Sequence, residues 1–94
     1  MTLLGLENQL KALGFEKKKS EKDGSTMFVA VCYKGKSLVI SVGSYDVRMS
    51  WWHPIGRSFG KNYKIADEIS DCEDIEALID GFIEEMARYY GLEA

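Results

Sequence analysis

The chain has 94 residues, with 12 Lys and Arg against 15 Asp and Glu, two cysteines, one proline and one histidine. This length suits one domain with a modest core of its own, and two cysteines rule out a disulfide scaffold. The formal charge of −3 conceals a split: Met1 to Lys64 carries 11 basic against 5 acidic residues, a net of +6, while Ile65 to Ala94 carries 1 against 10, a net of −9. Such polarity points either to a charged partner or to two lobes that neutralise each other in the fold.

From the N-terminus, Thr2 is placed to cap a short helix whose apolar positions Leu3, Leu6, Leu10 and Leu13 follow the helical period, with Gly14 to stop it and Phe15 to turn back on it. MTLLGLENQL lacks a basic start and a long apolar run, and no stretch approaches the roughly 20 apolar residues of a membrane span, so a soluble, cytoplasmic chain is expected. Glu16 to Ser25 is charged and ends in Asp23-Gly24, a turn signal, which puts Lys17, Lys18 and Lys19 on an exposed edge strand or loop.

Met27 to Tyr33 and Ser37 to Gly43 are short and rich in β-branched and aromatic residues, and Lys34-Gly35-Lys36 joins them as a hairpin. Asp46 to Trp52 alternates: Val47, Met49 and Trp51 share the core face, while Arg48, Ser50 and Trp52 share the other. Adjacent tryptophans in a strand point to opposite faces. One of them therefore needs cover from a loop, a second protomer or a partner. His53-Pro54 ends the strand, and Ile55 to Lys64 reads as a loop with a short strand near Tyr63 to Ile65.

The last helix is the clearest element. Ser70 and Glu73 match a capping box, and Ile75, Leu78, Ile79, Phe82, Ile83 and Met86 form one apolar stripe. Gly91-Leu92 fits a helix stop, and the acids near the start and Arg88 near the end suit the helix dipole. Asp80, Glu84 and Glu85 gain nothing from the dipole and line the outward face. The expected fold is α+β, in the order α-β-β-β-α with room for an extra edge strand: an antiparallel sheet with both helices on one face and the other face open.

This order is similar to that of double-stranded-RNA-binding domains over most of the chain. In that family, however, the last helix opens with a lysine cluster that grips phosphate, and here Asp67 to Glu76 is acidic and repels it. No family assignment follows. Catalytic signals are equally thin. His53 has no partner that spacing brings within reach, although Asp46 and Cys32 are the candidates, and no nucleophile elbow, zinc motif or phosphate loop is present. The acids of 67–74 lack calcium-loop spacing, so neither a metal nor a cofactor is expected.

What remains is a binding surface. Tyr45, Trp52 and Tyr63, with Tyr33 as a further candidate, are interleaved with Arg48, Arg57, Lys61 and Lys64, and Trp, Tyr and Arg are the residues that dominate protein interfaces. The expected partner-binding set is Tyr45, Arg48, Trp52, His53, Arg57 and Tyr63 on the sheet, with Asp80, Glu84 and Glu85 on the helix. The expected function is a non-enzymatic protein-binding module of adaptor, inhibitor or immunity type. The alternatives are a homodimer built on the open sheet face, or a weak nucleic-acid binder using the basic part of the chain.

Overall fold

The computed structural model describes residues 1–52, 56 and 58–91. Helix α1 (Leu3–Ala12) is followed by five strands, β1 (Glu16–Lys19), β2 (Thr26–Tyr33), β3 (Lys36–Val42), β4 (Asp46–Trp52) and β5 (Ser58–Lys64), then a π-helical turn at Ile65–Ile69 and helix α2 (Ile75–Tyr90). The strands form one antiparallel sheet in the order β1-β2-β3-β4-β5. Both helices cover the same face of it, as the α+β pattern implies.

Local chemistry sets the element ends. The Thr2 hydroxyl accepts the Gly5 N–H at 3.0 Å and caps α1, and Gly14 at φ 98° takes the left-handed conformation that ends it. Leu6 and Leu10 are buried, but Leu3 lies half outside the stripe that its spacing suggested. Lys34 and Gly35 both have positive φ, 50° and 81°, as a two-residue hairpin turn of the type matching strand twist requires. In β2 the register shifts between Ala30 and Tyr33, so Val31 and Cys32 together oppose Ser37, whose hydroxyl donates to the Val31 carbonyl at 2.8 Å.

Two expectations are corrected. The region expected to be mainly loop contains β5, seven residues paired to β4 from Asp46–Lys64 to Trp52–Ser58. Phe59, Lys61 and Tyr63 alternate toward the helices, while Ser58, Gly60 and Asn62 point away; the polar residues and the glycine hid the period-two pattern. The helix cap also moves. Ser70 donates its hydroxyl to the Ile65 carbonyl at 2.6 Å and closes the π-helical turn, so the cap of α2 is Asp74, whose carboxylate accepts the Glu76 N–H at 3.0 Å. Gly91, at φ 68°, ends α2 as expected, whereas Leu92 lies outside the described residues.

The core sits between sheet and helices. Phe28, Leu38, Ile40, Val47, Met49 and Trp51 from the sheet meet Leu6, Leu10, Ile75, Ile79, Phe82 and Met86 from the helices. Gln9 joins the two helices by its carboxamide: Oε1 accepts the Ile75 N–H at 2.9 Å and Nε2 donates to the Glu73 carbonyl at 3.2 Å. It thereby satisfies one of the backbone donors that every helix start leaves open. At the far end the Tyr90 hydroxyl donates to the Ser58 carbonyl, and the Tyr90 and Trp51 rings lie 5.5 Å apart. These contacts tie α2 to edge strand β5. Among the described residues no helix is long and apolar enough to cross a membrane.

Candidate functional site: the uncovered sheet face

The residues singled out in the sequence divide among four places. Arg48 and Trp52 lie on the uncovered sheet face, and Trp52 is 60 % exposed. Tyr45 is 87 % exposed but sits in the β3–β4 turn, at the opposite end of β4, about 23 Å from Trp52 along a strand rising roughly 3.3 Å per residue. Tyr63 is not on that face. It is 3 % exposed under the helix layer, paired with Val47, and Tyr33 is likewise buried beside Phe15. Strand parity explains both corrections: Tyr63 follows Phe59 and Lys61 by steps of two, and the irregularity after Ala30 returns Tyr33 to the core side. His53 and Arg57 lie outside the described residues.

The acidic helix face is less outward than expected. Asp80 pairs with Lys34 at 2.7 Å and Glu85 with Lys61 at 2.8 Å, so the two lobes of charge meet along the flanks of α2. Glu84 is exposed and makes no ion pair among the described residues. On α1, Glu7 pairs with Lys17 at 2.7 Å and with Lys11 at 3.5 Å, and the Lys17 hydrogen bond holds its carboxyl below the ordinary range. The Asp80 hydrogen bond likewise raises the Lys34 ammonium. Burial, aided by the nearby Glu85 and Glu68 carboxylates, pushes the Tyr63 hydroxyl up to about 12. These pairs stand in solvent, so their effect is mainly to consume charge.

Strand pairing orders the uncovered face into rows. One runs Lys18, Met27, Ser41, Arg48, Asn62; the next runs Glu16, Val29, Val39, Ser50, Gly60. One step beyond the Leu38–Trp51 pair, Trp52 stands across from Ser37, with Val31 and Cys32 on the strand beyond. Val31 is 82 % exposed. The β2 side of the face is therefore aliphatic, and the β4 side carries the indole and the guanidinium.

Arg48 is fixed across its neighbours. Its Nη1 donates to Asn62 Oδ1 at 3.0 Å, and a Cβ built on Gly60 would fall 2.2 Å from Nη2. The guanidinium thus occupies the space over Gly60 that any side chain there would fill. Arg48 and Gly60, with Ser50, Trp52, Ser58 and Phe59, line a recess of about 260 Å³, below the roughly 300 Å³ at which small-molecule clefts begin. A recess of that size accommodates a protruding side chain. Gly60 and the aliphatic Val29, Val31 and Val39 were not singled out in the sequence. Their signal was the alternation of Met27, Val29 and Val31 with the core residues Phe28 and Ala30.

Among the described residues no group of three His, Cys, Asp or Glu side chains is disposed to hold a metal ion. No family model, curated protein or solved structure matches the chain.

Proposed function

We propose that the chain is a small, non-enzymatic protein-binding module, of adaptor, inhibitor or immunity type, whose contact surface is the uncovered sheet face. The observation that carries this is the exposure of Trp52 and Val31 on a face that neither helix covers, beside an arginine held in place by Asn62 and Gly60. A fixed guanidinium next to an indole presents large area at small entropic cost, as interface anchors do. The acidic helix contributes less, because Asp80 and Glu85 are engaged by Lys34 and Lys61. The same pairs weaken the nucleic-acid alternative: Lys17, Lys34, Lys61 and, more loosely, Lys18 face carboxylates, which leaves Arg48 and Lys64 as the cations of the uncovered face outside ion pairs among the described residues. Free thiols at Cys32, which is exposed, and Cys72 suit a reducing compartment such as the cytoplasm.

The test is affinity capture from the native host with the wild-type chain, Trp52→Ala, Arg48→Ala and the control Tyr89→Ala, whose ring is exposed beyond the helix layer. The expected result is a bound protein that the control retains and both sheet-face variants lose. A bound protein retained by all four chains would remove the sheet face as the contact surface.

A further inference from the structure

Resting on that contact surface, we infer that its partner is a second copy of this chain, stacked face to face about a two-fold axis running along β3. A closed dimer needs a self-complementary patch, and the rows supply one. Rotation about β3 sets β2 over the partner's β4 and β1 over its β5, and it preserves position along the strands. Each row then meets itself reversed.

The consequences can be read off the register. Val31 and Cys32 cover the second copy's Trp52, and Val29 covers its Ser50. Met27 lies over the aliphatic stem of Arg48, and Val39 meets its own counterpart at the axis. Glu16 falls over Gly60, where the Arg48 guanidinium rests, so a carboxylate meets a fixed guanidinium twice. Lys18 falls over Asn62, beside the same guanidinium, and stays 3.9 Å from the Glu16 carboxylate of its own chain, which lies between the two cations. The aliphatic half of the face thus covers the aromatic and cationic half, and the acid meets the base.

Aligned sheets stack about 10 Å apart with a rotation of about 30°, which displaces strands two places from the axis by about 5 Å, within reach of Glu and Arg side chains. The other in-plane two-fold, at right angles to the strands and passing through the Val39 row, sets Glu16 against Glu16. Four interstrand gaps of about 4.8 Å and about five residues of about 3.3 Å along each strand give a footprint on the order of 300 Å² per copy, well under the roughly 800 Å² of a standard interface. Pairing is therefore weak and concentration-dependent.

Sedimentation equilibrium on the intact chain from about 10 µM to about 1 mM, the range where interfaces below standard size assemble, tests this. The wild type is expected to dimerise. Val31→Glu should abolish pairing. Glu16→Arg and Arg48→Glu should each weaken it about tenfold or more, and the double reversal should bring it back to within about threefold, because only facing charges compensate. Circular dichroism checks that each variant is folded. A monomer throughout the range, or a double variant no better than the singles, would overturn the two-fold along β3. If the chain stays monomeric yet captures a host protein in a Trp52-dependent way, the second copy is excluded while the contact surface stands.

Discussion

Along the same strands, one residue apart, the two faces of the sheet differ completely. Phe28, Leu38, Ile40, Val47 and Met49 on the helix side are each 3 % exposed or less, whereas Val31 and Trp52 on the other side stand in solvent. The covered face carries the stability: its side chains interdigitate with Ile79, Phe82 and Met86. The face that neither helix covers holds exposed apolar and aromatic area at Val31 and Trp52. Two adjacent tryptophans mark the boundary, Trp51 against α2 and Trp52 away from it.

Large truncations separate the two faces most clearly. Phe82→Ala on the covered side is expected to cost about 3–5 kcal/mol in urea denaturation, while Trp52→Ala in the monomer should cost under about 0.5 kcal/mol. Comparable losses at the two positions would mean that the second face is not spare. Alkaline titration probes the covered side by charge. Because the folded Tyr63 hydroxyl is raised from 10 to about 12, the fold favours its neutral form; its contribution is intact below pH 10 and is lost as pH rises through about 12. Tyr63→Phe should shrink that loss of stability, leaving the share of Tyr33, which is also raised by burial.

Smaller effects sharpen the picture. Gln9→Ala and Asp74→Ala should each cost about 1 kcal/mol, since both side chains satisfy donors at the start of α2. Gly60→Ala, by contrast, should change stability by less than about 1 kcal/mol: the added methyl displaces a surface guanidinium held by its hydrogen bond to Asn62, and alanine offsets some of this in a strand. It should nevertheless break the Arg48–Asn62 hydrogen bond, visible as a shifted Asn62 side-chain amide resonance, and weaken binding at the sheet face. Asp80→Asn is expected to move the denaturation midpoint least, by the equivalent of less than about 0.5 kcal/mol.

Much of this was legible in the sequence wherever one periodicity dominated. The stripe from Ile75 to Met86 located α2, and the alternation of Asp46 to Trp52 assigned Val47, Met49 and Trp51 inward and Arg48 and Trp52 outward. Legibility failed where two signals competed. In β5, Gly60 and Asn62 resemble loop residues because their face has no core to fill. At Ser70 the capping pattern is real chemistry used elsewhere, for the hydroxyl closes the turn at Ile65 instead. Tyr33 and Tyr63 were misplaced for the same kind of reason, since residue type suggests an interface and only parity along a paired strand decides the face. The ion pairs of Asp80 and Glu85 join residues 46 and 24 positions apart, a juxtaposition that no local pattern encodes.

The most direct test of the working face is a concentration series of amide spectra by NMR on the wild-type chain. The amides of Val29, Val39, Ser50 and Trp52 should shift together as concentration rises, while those of Glu84 and Arg88 on α2 stay fixed. Shifts confined to α2 or to the outer edge of β5 would contradict the sheet-face account, and spectra that do not change up to about 1 mM, the weak end of specific association, would contradict its pairing with a second copy.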